Sequence, residues 1–441
     1  MFRAFIVLLV VLLAGTPAWA ERKPLRLIRD AEIEHMVRLY ATPVFQVAVL
    51  DPATVNVYLV QDKRINAFVA GGMNLFINTG LILKAENAGE LIGVIAHETG
   101  HIAGGHLART AEALRNARGA ALLASILGAA VVVAGGGDVG AGVALGGTGI
   151  AERNLLSFSR AQENAADQAA LRYLDGAGLS SRGLVTFFDK LADQELLSAT
   201  RRDPYLTTHP LTRDRIEHVR QHLTTSALAD APLPEGFALM FERAKAKLTG
   251  FVEQPATTFR RYPDSDGSPT ARYARAIALH RKADLAGAIV LVDGLLAEEP
   301  DNAFFHELKG QILFESGDPA GAVPEYRAAV AAAPGESLLR VGLAQALLEA
   351  GDEGVAEAAE QLEQALERDR EFPTTWRLLG QAYGRLGREP ESALAAAEAA
   401  YLTGAYADAR HFADRALKGL TPNTPPWYHA QDILVATETT P

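Results

Sequence analysis

Leu91 to His106 reads Leu-Ile-Gly-Val-Ile-Ala-His-Glu-Thr-Gly-His-Ile-Ala-Gly-Gly-His. Apolar residues at 91, 92, 94, 95 and 102 predict a buried helix. His97 and His101 stand four residues apart, so both imidazoles leave one face of that helix, a turn apart. Two ring nitrogens so placed can share a zinc ion, and Glu98, beside His97, can reach a zinc-bound water without touching the metal. Zinc lowers the pKa of that water toward 7, and Glu98 can then take its proton and pass it to a leaving amine.

A catalytic zinc usually has three protein ligands and one open position, so a third ligand is needed. His106 is the nearest histidine, but the pattern HExxHxxGxxH would place its last His at 107, which is Leu. On a continuous helix His106 points about 140° away from His101, which makes it a helix-end residue or a support for a ligand. Downstream, Glu163 and Asp167 are also four apart, in an Ala-rich helical stretch running to Leu174. Alone they read as an exposed acidic face. With the histidine pair they offer a carboxylate ligand and a second carboxylate to accept an imidazole N–H.

Working outward, 441 residues imply two or three domains, and 49% hydrophobic against 22% charged residues supply a sizeable core. The 42 Lys+Arg against 53 Asp+Glu leave a net charge of −11, which argues against a nucleic-acid partner. No cysteine is present, so disulfides, thiolate nucleophiles and Cys-bound zinc are excluded. Arg3, the apolar run Ala4 to Ala14 and Ala18-Trp19-Ala20 have the form of a secretory signal cleaved after Ala20. That run is short for a membrane span, so export to a periplasm is the expectation.

Beyond a Pro-rich stretch at 223–268, read as a linker with one helix over Phe241 to Leu248, the chain repeats. Pro300 and Pro334 are 34 residues apart, and Gly310, Ala322, Tyr326 and Ala329 precede the second as Ala276, Ala288, Val292 and Leu295 precede the first. This spacing resembles the tetratricopeptide repeat, whose paired helices need small residues where they cross, against the plainer alternative of an Ala-rich bundle. Residues 119 to 137 carry no charge and are followed by a Gly-rich run to 149. A hairpin lying against the membrane interface, or a mobile loop, is expected there in preference to a transmembrane helix.

HETGH followed by ENAAD resembles the M48 family of zinc metalloproteases, and so does the segment Asn66 to Phe76 with Thr79-Gly80-Leu81. With a signal peptide ahead and repeats behind, the arrangement is similar to M48 proteases of the Gram-negative periplasm. The resemblance implies one Zn2+ per chain on His97, His101 and Glu163, Glu98 as the catalytic carboxylate and Asp167 behind a histidine. It implies that the Asn66 to Phe76 segment forms an edge strand that takes the substrate as an added strand, with Asn66, Ala67, Phe68 and Val69 as substrate-binding residues. It places His209 near the metal, as a fourth ligand latching the site or as a transition-state contact, with a plain helix-start role before Pro210 equally open. Arg215 would bind a substrate carbonyl or pair with Asp167 or Glu217.

The expected fold is therefore mainly α. A signal peptide at 1–20 precedes a helical zincin-type M48 domain at 21–222 with a small β edge-strand element. The 223–268 linker follows, and 269–441 form an α-solenoid of tetratricopeptide repeats. The expected activity is zinc endopeptidase action on unfolded or misassembled proteins. The resemblance points to outer-membrane β-barrel precursors and to their assembly machinery as a partner of the repeats. Two rivals stand beside it: an assembly factor working through the repeats with its zinc site latched, and a scaffold with a degenerate metal site.

Overall fold

The computed structural model describes residues 26–106, 108, 160–192 and 204–438. The expected signal peptide and the apolar segment 119–150 lie outside these residues.

The first helix, Ala31–Val47, starts at Asp30, whose side chain accepts a hydrogen bond from the Ile33 N–H, and it buries Met36, Val37, Tyr40, Ala41 and Val44. Such a cap satisfies one of the donors that a helix start leaves open. Next comes a four-stranded sheet of order β1-β2-β4-β3, formed by Leu27–Ile28 (β1), Asn56–Val60 (β2), Ala67–Ala70 (β3) and Asn74–Asn78 (β4). β2 and β4 run parallel, while β1 and β3 are antiparallel to their neighbours. Burial alternates along β3, with Ala67 and Val69 toward the core and Phe68 and Ala70 half-covered on the other face. β3 is an edge strand, but the edge strand expected over 66–76 is broken, because residues 71–73 turn the chain and β4 returns inside the sheet; the sheet is also larger than the expected small element. Strands of four and five residues give too few alternations to stand out in the sequence.

The helix Ala88–Ala103 carries the HETGH stretch and is buried along most of its length. Asn87 caps it by accepting from the Glu90 N–H. Two glycines let neighbours approach this helix closely. A Cβ on Gly93 would stand 2.8 Å from the Leu184 nitrogen, in the helix Arg182–Ala192. A Cβ on Gly100 would stand 2.8 Å from the Ala166 carbonyl oxygen, in the helix over 160–176. Only a residue without a Cβ allows backbones this near to each other. The second approach lays Glu163 and Asp167 beside the two histidines.

The segment expected as a linker with one helix holds two, Phe237–Val252 and Pro255–Arg261. The first buries Phe241, Ala244 and Leu248 in the same core as the Ala31–Val47 helix. It therefore behaves as part of the domain it follows. The prolines that suggested a loop sit at turns and at the first position of Pro255–Arg261, where a missing N–H costs nothing.

Paired helices fill the rest of the described chain. The first helices of successive pairs begin at Pro269, Ala303, Ser337, Pro373 and Tyr406, a spacing of 34, 34, 36 and 33 residues. Small residues meet where the helices cross: Ala322 and Ala329 are fully buried, and a Cβ on Gly310 would press into the Tyr326 ring at 2.9 Å. This is the tetratricopeptide architecture. The 36-residue step from Ser337 to Pro373 marks an insertion in the third unit.

The repeats are joined to the domain before them by buried charge. Lys247, 2% exposed, places its ammonium 3.0 Å from Asp30, 3.0 Å from Glu307 and 3.5 Å from Glu32. The Tyr273 hydroxyl donates to Glu32 at 2.7 Å. Further along, Arg29 pairs with Asp369 at 2.6 Å, and the Tyr58 hydroxyl donates to Glu371 at 2.6 Å.

Candidate metal centre

His97, His101, Glu163 and His209 form one buried cluster whose ligand-type atoms all lie within 4.8 Å of one another. His97 Nε2 is 3.1 Å from His101 Nε2, 3.3 Å from His209 Nδ1 and 3.4 Å from Glu163 Oε2. Glu163 Oε2 is 3.2 Å from His209 Nδ1, and its Oε1 is 3.4 Å from His101 Nε2. A tetrahedral zinc site with bonds of about 2.0–2.1 Å has ligand–ligand edges of about 3.3 Å. The donor set and its spacing fit that ion.

Each member is positioned from its own element. His97 and His101 project from one face of the Ala88–Ala103 helix, as their four-residue spacing predicts. Glu163 comes from the helix that packs on Gly100. His209 follows the short helix Pro204–Thr208, and its ring stacks on Tyr205 with centroids 4.6 Å apart and planes at 30°. Its backbone N–H bonds the Tyr205 carbonyl at 2.7 Å, and the Tyr205 N–H bonds the Ile65 carbonyl at 3.3 Å. The His209 loop is thereby tied to the residue that leads into β3.

Glu98 is fully buried beside the cluster, with one carboxylate oxygen 3.4 Å from His209 Nε2. Among the described residues neither of its oxygens has a hydrogen-bond partner. A buried carboxylate costs free energy unless something satisfies it. A water on a metal held by His97, His101 and Glu163 would satisfy Glu98, which would then stand where a general base is required.

Behind the cluster lies a chain of charges. Asp167 sits 2.8 Å from His97 Nδ1, on the ring side away from the other ligands. Arg215, 2% exposed, donates to Asp167 at 2.6 and 2.9 Å and to the Pro210 carbonyl at 2.7 Å, and it stands 3.0 Å from Glu163. Of the two expectations for Arg215, contact with a substrate carbonyl or pairing with an acid, the geometry brings it to Asp167 and Glu163. Burial by itself would lift the Asp167 pKa, but Arg215 and His97 hold it below the usual carboxylate range. Burial would likewise lift Glu163, yet His101, His209 and His97 keep it well below that range. Both acids are thus ionised, as a ligand and a ligand's support must be. His106 stands with Nδ1 3.0 Å from His101 Nδ1, behind that ring and outside the ligand set.

Tyr205 went unnoticed in the sequence reading. It lies four residues before His209, the one local signal available, and its buried hydroxyl has no partner among the described residues. Asn66 to Val69 are brought to the sheet edge. Asn66 is buried, its side-chain oxygen 3.5 Å from the Thr208 hydroxyl, next to the loop that carries His209.

Residues 28–223 match Peptidase family M48. The chain is 27% identical over 355 residues to the beta-barrel assembly-enhancing protease of Yersinia pestis, covering 79% of this chain and 71% of that protein. The same figures for identity and coverage hold, over 359 residues, for the Escherichia coli K12 protein of that name. Among solved structures, the tetratricopeptide-repeat protein YrrB is 19% identical, with a TM-score of 0.33, over 39% of this chain and 89% of that one.

Replacing Asp167 by Asn removes the charge that orients His97. Metal affinity, read by competition with a chromogenic chelator, is expected to fall about 10- to 100-fold. Unchanged affinity would show that Asp167 does not support the ligand.

Proposed function

Since residues 28–223 constitute an M48 peptidase domain, we propose that the chain is an exported zinc endopeptidase acting on misfolded or misassembled outer-membrane proteins. The observation that carries the catalytic part is the four-atom cluster with the unpartnered Glu98 carboxylate beside it. His97, His101 and Glu163 hold one zinc per chain, Asp167 orients His97, and Arg215 fixes the two acids. Bound zinc supplies Lewis acidity to the scissile carbonyl and acidity to the attacking water. Glu98 accepts the proton of that water and returns it to the departing amine. An extended substrate is oriented by pairing with β3, where backbone groups and not particular side chains give most of the affinity. Such recognition suits unfolded chains.

The substrate class is suggested by the names of the relatives, which are β-barrel assembly-enhancing proteases. The repeats would then engage the machinery that assembles those barrels. Location in the periplasm is supported by the signal-like first twenty residues. No described helix is long and apolar enough to cross a membrane. Peripheral membrane contact through 119–150 remains part of the proposal.

His209 Nδ1, 3.3 Å from His97 Nε2 and 3.2 Å from Glu163 Oε2, would be the fourth ligand of a zinc held by His97, His101 and Glu163, in the place the attacking water needs. The arrangement reads as a latched resting site, which opens when the loop behind Thr208 withdraws the ring. It also favours the second reading, an assembly factor for β-barrel proteins whose peptidase is mostly closed.

An unfolded outer-membrane β-barrel protein should be degraded by the mature chain and not by Glu98→Gln, with loss of at least about a hundredfold in rate. Assembly activity that survives Glu98→Gln while no cleavage is seen from either protein would transfer the proposal to the second reading. Under the latch, His209→Ala raises the peptidase rate. A rate equal to or below wild type would contradict it.

A further inference from the structure

The outer face of the sheet carries an aromatic ladder that stops at the open edge. Phe68 in β3 lies opposite Phe76 in β4, and Phe76 lies opposite Tyr58 in β2. The Phe68 and Phe76 rings are stacked, with centroids 4.9 Å apart and planes at 9°; Phe76 and Tyr58 are 5.1 Å apart at 20°. These intervals match the roughly 4.8 Å between neighbouring strands, so each strand contributes one rung. At its inner end the ladder is fixed, because the Tyr58 hydroxyl donates to Glu371 of the repeats at 2.6 Å. At its outer end, among the described residues, β3 pairs with β4 alone. The Phe68 ring therefore presents its second face where the next rung would stand.

The backbone pattern of β3 says how that rung would be offered. The Asn78 N–H bonds the Asn66 carbonyl, so by alternation Asn66, Phe68 and Ala70 direct their backbone groups to β4. Ala67 and Val69 direct theirs to the open edge. An antiparallel strand added there would bond to Ala67 and Val69, leaving the residue opposite Phe68 in a non-hydrogen-bonded pair. In such pairs the Cα atoms approach to about 4.5 Å and the side chains lie closest. The side chain opposite Phe68 would point to the same outer face.

We infer that β3 selects substrate strands with an aromatic side chain opposite Phe68, which extends the Tyr58–Phe76–Phe68 ladder by one rung. This rests on the edge-strand pairing proposed above and adds to it a side-chain preference at one position. Offset-stacked rings attract through their quadrupoles as well as through buried area, so the preference is for an aromatic ring over a saturated ring of the same size. Strands that alternate aromatic and small residues present such a side chain in either of two registers.

The test uses the full-length Glu98→Gln chain loaded with zinc, so that binding is read without cleavage. Two labelled peptides of alternating sequence share one face of Thr and carry either Phe or cyclohexylalanine on the other. Fluorescence anisotropy is expected to show the Phe peptide binding about two- to tenfold more tightly. In Phe68→Leu the ratio should fall to about one, and Phe68→Tyr should keep it. Equal affinities in the Phe68 chain, or tighter binding of cyclohexylalanine, would overturn the inference. The same peptides N-methylated at alternate residues separate the two layers. If methylation abolishes binding while the ratio is one, only the aromatic preference fails; if methylation changes nothing, or neither peptide binds, the strand pairing fails with it.

Discussion

The site depends on one close approach. Gly100, between the two histidines of its helix, lets the helix over 160–176 come near enough that a Cβ would lie 2.8 Å from the Ala166 carbonyl oxygen. Two consequences follow from the periods of the helices. Glu163, one turn before the contact, arrives at the His97 and His101 Nε2 atoms, and Asp167, one residue beyond it, arrives at His97 Nδ1. A larger residue at 100 would separate the backbones, and a ligand set with edges of 3.1–3.4 Å has no tolerance for an ångström of separation. Packing and coordination are here one constraint.

Electrostatics makes that packing tenable. Glu163, Asp167, Glu98 and Arg215 are all nearly inaccessible to water, and buried charge is costly unless paired. The Arg215 guanidinium meets both Glu163 and Asp167, and each acid in turn meets an imidazole. Glu98 stands outside the Arg215 contacts, and among the described residues neither of its oxygens has a hydrogen bond, consistent with its proposed work of holding and releasing a proton. His209 adds a further member, stacked on Tyr205 and anchored through Tyr205 to Ile65, which leads into β3. The β3 edge and His209 thus share a single short loop.

How much of this could be read in the sequence differs from residue to residue. His97, Glu98 and His101 were legible because a helix converts a four-residue spacing into a shared face. Glu163 and Asp167 obey the same rule, but their nearness to the histidines, some sixty residues away, came from resemblance and not from spacing. The repeats were legible through a 34-residue period. The four-stranded sheet was not, since its strands are too short for an alternation to show, and β2 and β4 pair in parallel across intervening chain. Nor was the short helix Pro255–Arg261, while Phe237–Val252 was legible only over Phe241 to Leu248. Its Lys247 finds Asp30 and Glu307 on opposite sides of it in the sequence, a pairing visible only once the chain has folded. Arg215 was narrowed from two roles to one by its contacts.

In the resting protein, three histidines and one carboxylate are proposed to close around a single zinc ion. X-ray absorption at the zinc edge of the purified, metal-loaded chain tests this directly. Four nitrogen or oxygen neighbours at about 2.0–2.1 Å are expected, with outer-shell scattering from three imidazoles in the wild type and from two in His209→Ala. Spectra that are the same for both proteins, or a wild-type shell with fewer than three imidazoles, would overturn that coordination.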